Sequence, residues 1–206
     1  MFGNTEVNIN GGVVQHNVFG GGNMASVGKG NYIGYGENGP ASDTTNSGHC
    51  VVNINGGTIG TNGYMDVYGI MNGYVYGSSK GTTFPTVSQP ANTPRYDYSR
   101  DFFLGYANNT HVNIGTASTE PIVMGSVFGG GENGHVRYNT EVVVNNGEIG
   151  ATYDTTDGLI TDAKWKYRGN VYGAGRGIDF IPGTDRYCNS AGSVTRNTHV
   201  VVNGGL

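Results

Sequence analysis

Two histidines and one glutamate hold the same position in three copies of a repeated segment, and together they could bind a metal. His111 lies in NTHVNI, Glu141 in NTEVVV and His199 in NTHVVV. Imidazole and carboxylate groups are common ligands of zinc. The alternative is a charge ladder, in which an acid between two bases keeps like charges from stacking. The alternation favours the ladder, and we predict no metal and no other cofactor.

Acidic residues in two further groups could catalyse glycoside hydrolysis, which needs a pair of carboxyl groups. The two groups are Asp97 and Asp101 with Arg95 and Arg100, and Asp154, Asp157 and Asp162. Acids at these spacings are more often solvated turn residues. We therefore predict no catalytic residue.

The segment AGRGIDFI at 174–181 resembles a calcium-binding nonapeptide repeat, with Asp179 at the acidic position. Such sites lie between consecutive turns and need the aspartate in each turn, whereas this one occurs once. Two cysteines without a CxxC motif exclude a zinc module. A Cys50–Cys188 disulfide is not expected, because Cys50 replaces a repeat threonine that should face the core.

Aromatic residues are frequent in the segments between the repeats, where they offer flat amphipathic faces to sugars or protein partners. The candidate ligand-binding residues are Tyr32, Tyr35, Tyr96, Tyr98, Phe102, Tyr106, Trp165 and Tyr167, with Tyr153 beside them. The same rings could instead pack the intervening segments onto the repeats. The sequence leaves both interpretations open.

Composition excludes several classes of protein. The chain has 206 residues, of which 38 are glycine and 26 are charged (11 basic and 15 acidic), for a net charge of −4. This glycine content, about 18 % against about 7 % in an average chain, argues against a helical core. Glycine does not recur every third residue, which excludes collagen. The acidic balance argues against nucleic-acid binding, and no apolar run is long enough to cross a bilayer.

Two motifs alternate along the whole chain and must position these residues. The first lies at 4–12, 49–57, 109–117, 139–147 and 197–205, for example NTEVNINGG. The second, V-[FY]-G, lies at 18–23, 67–72, 127–132 and 171–176. Fixed alternation of this kind is typical of repeat architectures.

Within the first motif, apolar and other residues alternate with a period of two, which predicts strands with one buried face. One inward column contains Val7, Val52, Val112, Val142 and Val200, and the next contains Ile9, Ile54, Ile114, Val144 and Val202. The outward column contains Glu6, Val51, His111, Glu141 and His199. Each strand should therefore lie on its counterpart in the next repeat.

The same alignment predicts three further columns. They are a glycine column (Gly20, Gly69, Gly129, Gly173), an aromatic column (Phe19, Tyr68, Phe128, Tyr172) and an asparagine ladder (Asn10, Asn55, Asn145, Asn203) interrupted at Gly115. Glycine is expected where a corner needs positive φ or close backbone contact. Aromatic rings and amides should stack at strand spacing.

These patterns predict an all-β fold, a parallel β-solenoid of about four to five coils forming one domain over residues 1–206. The 30-residue unit 109–138 carries three short strands. Insertions into this unit are predicted at 28–48, 77–108, 151–170 and 181–196.

The alternation of [NT]-x-V-x-I-x-G-G with V-[FY]-G-G-G resembles the glycine-rich repeats of adhesin-like surface proteins from gut Bacteroidetes. The resemblance spans nearly the whole chain apart from the insertions. It implies an extracellular or bacterial cell-surface location, and no catalytic residue can be transferred from it.

We therefore expect a non-enzymatic structural or adhesive protein, either a piece of a longer repeat protein or a filament subunit. Self-association should pair Val7 and Ile9 at one end with Val200 and Val202 at the other, since these columns would be open there. Glycans or host surface proteins are the expected ligands of the insertions, without nucleic acid or membrane insertion. The alternative is a carbohydrate-active β-helix, a polysaccharide lyase or glycoside hydrolase.

Overall fold

The computed structural model describes residues 3–28, 47–61, 72–81, 105–150, 169–177 and 191–205, and the regular secondary structure of these ranges is all β-strand. Among these residues there is no helix that could span a membrane. The strands are β1 (Thr5–Val14), β2 (Val18–Phe19), β3 (His49–Ile59), β4 (Val75–Tyr76), β5 (Tyr106–Ala107), β6 (Asn109–Ile114), β7 (Ile122–Val123), β8 (Val127–Phe128), β9 (His135–Val136), β10 (Thr140–Val144), β11 (Glu148–Ile149), β12 (Val171–Tyr172) and β13 (Thr198–Val202). The all-β prediction is confirmed.

The described strands form three sheets whose strand pairs are parallel. The first sheet has the order β11-β7-β3-β6-β10-β13, with β1 also paired to β3. The second has the order β12-β8-β4-β2, and the third consists of β5 and β9. A bridge between Val136 and Val194 extends the third sheet. Successive repeats thus supply neighbouring strands to each sheet.

The register of the first sheet is the one that the repeat alignment predicts. Val52 lies opposite Val7 and Val112, and Val142 lies opposite Val112 and Val200. The three middle valines are fully buried and form one core cluster with the isoleucine column. Both predicted inward columns are therefore confirmed.

Four aromatic rings stack on the side of the second sheet that faces away from the valine core, but Tyr76 stands where Tyr68 was predicted. Adjacent ring centroids are 4.8, 5.0 and 4.8 Å apart in the order Phe19, Tyr76, Phe128 and Tyr172. Between the second and third copies of the first motif, Val-Tyr-Gly occurs twice, at 67–69 and 75–77, and the spacing alone does not choose between them. The second copy brings Tyr74 with it, which packs edge-on against Tyr76 and Phe128 and is buried.

The residue after each aromatic ring must be glycine because a Cβ atom there would collide with the neighbouring strand or, at Gly173, with the side chain of Thr198. A Cβ atom on Gly20 would collide with the carbonyl oxygen of Gly77, and one on Gly129 would collide with that of Gly173. None of these four glycines has a positive φ. Close contact rather than turn geometry thus explains the column, in which Gly77 replaces the predicted Gly69.

Hydrogen bonds within single repeats tie the first sheet to this glycine column. The donors are threonine Oγ1 atoms and the acceptors glycine carbonyls, in bonds of 2.5 Å from Thr5 to Gly20, Thr110 to Gly129 and Thr140 to Gly173. Cys50 takes the threonine position in the second repeat and is a free, fully buried thiol. Burial raises the pKa of Cys50 to about 11. The prediction that Cys50 faces inward is confirmed.

The outward face of the first sheet carries the predicted asparagine ladder. The Nδ2 atom of Asn55 donates to Oδ1 of Asn10, and that of Asn203 donates to Oδ1 of Asn145, both at 2.9 Å. Gly115 interrupts the column, as predicted. A second ladder, which the alignment did not single out, joins Asn8, Asn53 and Asn113 by bonds of 2.7 Å.

Each break in the described ranges between Gly28 and Gly192 is bordered by two glycines that lie close together with positive φ. A Cβ atom on Gly60, for example, would lie 2.6 Å from the Cα atom of Gly73. The pairs are Gly28 and Gly48, Gly60 and Gly73, Gly81 and Gly105, Gly150 and Gly169, and Gly177 and Gly192. Positive φ at both ends lets the chain leave the repeat and return at the same point.

These pairs do not coincide with the predicted insertion bounds, which stay predictions. Residues 77–81 and 105–108 belong to the repeat, as do 169–170 and 191–196, and a break between Gly60 and Gly73 was not predicted. The spacing of the first motif gives only the summed length of the insertions in each repeat. It does not show at which corner each one leaves.

Substitutions at two neighbouring positions of β10 should differ greatly in their effect on the free energy of unfolding. We expect Val142→Asp to lower the free energy of unfolding by several kcal/mol, because an unpaired charge would enter a dry core. Glu141→Ala should cost about 0.2 to 1 kcal/mol, since that side chain faces solvent. Urea denaturation of both variants measures the difference. Equal losses would mean that the two faces of β10 are reversed.

Candidate functional site

The His–Glu–His column lies on the solvent side of the first sheet, where β6, β10 and β13 begin. Parallel pairing sets Glu141 opposite His111 on one side and His199 on the other. Side chains at paired positions of neighbouring strands point to the same face. The sheet therefore brings together three residues that are 30 and 58 positions apart in the chain.

Glu141 bridges the two histidines through both of its carboxylate oxygens. The Nδ1 atom of His111 lies 2.7 Å from Oε2, and the Nδ1 atom of His199 lies 3.2 Å from Oε1. The hydrogen bond from His199 is the largest cause that lowers the pKa of Glu141, and a hydrogen bond from His111 adds to it. This geometry is that of the predicted charge ladder.

A groove of about 490 Å³ runs across the strand starts beside this column. It is lined by His49, Cys50, Val51, Asn109, Thr110, His111, Asn139, Thr140, Glu141, Asn197 and His199. The asparagine side chain of one strand accepts a hydrogen bond from the backbone of the next strand here. The backbone N–H of Asn139 donates to Oδ1 of Asn109 at 3.2 Å. The groove can offer imidazole, amide and carboxylate groups to a polar ligand.

The bridge engages both carboxylate oxygens of Glu141, each of which accepts from one imidazole nitrogen. Among the described residues, no group of three His, Cys, Asp or Glu side chains could hold a metal ion. The ladder therefore stays the preferred prediction for these residues.

Tyr106 belongs to a strand rather than to an insertion. It begins β5, its ring centroid lies 5.1 Å from that of His135, and burial raises its pKa. The other predicted ligand-binding residues lie outside the described residues: Tyr32, Tyr35, Tyr96, Tyr98, Phe102, Tyr153, Trp165 and Tyr167. The same holds for the two acidic groups at 95–101 and 154–162, and for Asp179 and Cys188.

The residues predicted for self-association lie in the two terminal strands of the first sheet. Val200 and Val202 in β13 are 40 % and 63 % exposed, whereas the equivalent residues of β10 are buried. Val7 and Ile9 in β1 are half-buried. The apolar columns are thus accessible at both ends of the described sheet.

A charged pair at one corner was not predicted. Nη1 of Arg176 lies 3.4 Å from Oε1 of Glu132, and the guanidinium lies over the ring of Tyr74, 5.8 Å from its centroid. Both charged residues stand three positions after the glycine of the second motif, in VFGGGE and VYGAGR. An alignment of the second motif that continued three positions past its glycine would have placed Glu132 and Arg176 at equivalent positions.

A search for similar proteins among protein families, curated proteins and solved structures finds no match.

The lowered pKa of Glu141 predicts a pH-dependent contribution to stability. The contribution is present above the ordinary pKa of 4.5 and is lost as the pH falls through the lowered folded-state pKa. Because the side chains are exposed, we expect Glu141→Gln to reduce the free energy of unfolding by less than about 1 kcal/mol at pH 6. The difference from the unmodified chain should be smaller at pH 3, because protonation of Glu141 removes the contribution as the pH falls.

Glu6→Gln is the matched control, because Glu6 lies opposite Val51 rather than a histidine. Denaturant titrations of both variants at the two pH values test the bridge. A pH-independent effect of Glu141→Gln would show that the bridge contributes nothing.

Proposed function

We propose that this chain is a parallel β-solenoid of four to five coils that acts as a non-catalytic extracellular scaffold for its insertions. The paired glycines with positive φ carry this proposal. At each pair the repeat stops and resumes at the same place, so the strands before and after it keep their register. An inserted segment can then differ in length and sequence without altering the sheets.

The register of equivalent residues supports the solenoid. Each repeat adds one level of valine to the core, one ring to the aromatic stack and one glycine to the close-packed corner. Nothing in this scheme limits the number of levels. A stiff rod that presents tyrosine-rich insertions to glycans or surface proteins is the function that fits it best.

End-to-end association of two copies is part of the proposal. If β1 of one copy paired with β13 of another, Glu6 would follow His199 and continue the alternation of charge. Asn10 would follow Asn203 in the asparagine ladder. Both the polar face and the apolar columns would thus continue across the junction. The same match would allow further repeats of a longer chain to be added.

Excision of an insertion tests the scaffold. We expect that replacing residues 151–168 with one glycine leaves the sheets intact, because Gly150 and Gly169 are adjacent and both have positive φ. The far-ultraviolet circular dichroism should keep its strand signal, and Tm should fall by less than about 4 °C. Val142→Asp serves as the control for a broken repeat.

Two results would contradict the scaffold. Collapse of the excised protein would show that the insertion is part of the core. Turnover of plant or host polysaccharides that is lost in Asp97→Ala or Asp101→Ala would favour the carbohydrate-active alternative.

Self-association is tested by sedimentation over a concentration series. We expect the chain to form larger species as concentration rises, and the double variant Val200→Lys, Val202→Lys to remain monomeric because buried lysines would oppose the contact. Val201→Lys, on the outward side of the same strand, is the control. A chain that stays monomeric at every concentration would exclude end-to-end contact.

A further inference from the structure

Two arginines lie against one tyrosine ring at the corner that leads into the first sheet. The guanidinium carbon of Arg196 is 4.3 Å from the centroid of the Tyr138 ring, and that of Arg137 is 5.4 Å from it. The backbone amide of Arg196 donates to the carbonyl of Tyr138 at 3.0 Å, so these two residues are paired across neighbouring repeats. Backbone pairing and ring contact thus hold both cations of this arginine pair (Arg137 and Arg196) at one place.

The arginine pair is not neutralised within the part of the chain that the structure describes. No carboxylate there forms an ion pair with Arg137 or Arg196, whereas Arg176 pairs with Glu132. A ring contact supplies no acceptor oxygen for the five N–H donors of an arginine. Arg196 is exposed and Arg137 is half-buried, so solvent reaches both. The arginine pair therefore offers two forks of hydrogen-bond donors to an oxyanion.

The groove at the strand starts begins one residue after this corner. Asn139 and Asn197, which follow Tyr138 and Arg196 in the chain, both line it. The groove crosses four neighbouring strands on the solvent face of the first sheet, so access to it does not depend on either end of the sheet. Its amide, imidazole and carboxylate side chains can donate to hydroxyl groups and accept from them.

A ligand that uses both features must carry charge and hydroxyl groups. The planar fork of arginine matches the geometry of a carboxylate and binds it by two parallel hydrogen bonds. A sugar chain brings hydroxyl groups to a groove along its whole length. An acidic peptide offers carboxylates but few hydroxyl groups, so it would use the arginine pair and leave the groove unfilled. The combination favours a carbohydrate with carboxylate groups.

We propose that the arginine pair and the groove form a binding site for an acidic glycan, a chain of sugars that carries carboxylate groups. One carboxylate binds between Arg137 and Arg196, and hydroxyl groups of the neighbouring sugars bind the amide and imidazole groups of the groove. The site lies on the repeats themselves. It therefore goes beyond the proposed function, in which the insertions hold the ligand-binding residues.

Titration of the full, ¹⁵N-labelled chain with tetragalacturonate tests the site. The methyl ester of the same tetrasaccharide is the matched ligand without charge. We expect saturable changes in the amide resonances of Arg137, Asn139 and Glu141, and none at Val75 or Val127 in the second sheet. The ester should bind about tenfold more weakly, because it loses the charge-assisted hydrogen bonds to both forks.

Substitutions separate the arginine forks from the bulk charge of the chain. Arg137→Gln and Arg196→Gln should each weaken binding of tetragalacturonate about fivefold, because each removes one fork. Arg196→Lys keeps the charge without the fork and should recover only part of the loss. Lys80→Gln is the control, because it removes the same charge from an exposed side chain outside the groove. It should change the affinity by less than about twofold, since salt screens charges at a distance.

Several results would overturn the site. One is the absence of saturable changes at about 5 mM tetragalacturonate, where even a millimolar Kd would give clear occupancy. Others are equal binding of the acid and its ester, and equal losses in Lys80→Gln and the arginine variants. Tighter binding of tetraglutamate than of tetragalacturonate would assign the surface to an acidic protein segment instead.

The comparison of acid and ester uses the unmodified chain, so it decides the matter even if a variant does not fold. Far-ultraviolet circular dichroism checks that each variant keeps its strands. Failure of this inference leaves the proposed scaffold untouched, because excision of residues 151–168 tests that function separately.

Discussion

Parallel, in-register pairing of equivalent residues is the constraint on which the rest of this structure depends. Once Val112 lies between Val52 and Val142, every other residue of the strand must meet its own counterpart. A side chain at a given position therefore has to be compatible with a near copy of itself about 4.8 Å away. Valine, asparagine and aromatic residues meet this condition through packing, amide hydrogen bonds and ring stacking.

Charged side chains meet the same condition only by alternation. A column of identical acids would place like charges at strand spacing, which destabilises a sheet. Glu141 between two histidines avoids this, and each of its oxygens accepts from one imidazole. The motif therefore varies most at the position where stacking of identical residues would be unfavourable. As a result, both carboxylate and imidazole side chains line the groove beside the column.

The alignment of the first motif was sufficient to predict the strands, both core columns and the asparagine ladder with its interruption at Gly115. Period-two burial and identical spacing determine these features locally. The second motif was ambiguous, because Tyr68 and Tyr76 lie in two copies of the same tripeptide. The pairing of β4 with β2 and β8 places Tyr76 in the column. The glycine pairs could not be predicted for a similar reason: positive φ at Gly60 and Gly73 accompanies their contact across the break, which the spacing of the motifs does not encode.

Disulfide trapping tests the central constraint most directly. In a Cys188→Ser background, cysteines replacing Asn113 and Val143 would lie directly opposite each other on neighbouring strands. Cysteines replacing Asn53 and Val143 would lie two strands apart, about 9.6 Å, beyond the reach of a disulfide. In-register pairing predicts that mild oxidation cross-links the first pair and leaves the second reduced. Equal cross-linking of both pairs, or of the second alone, would contradict it.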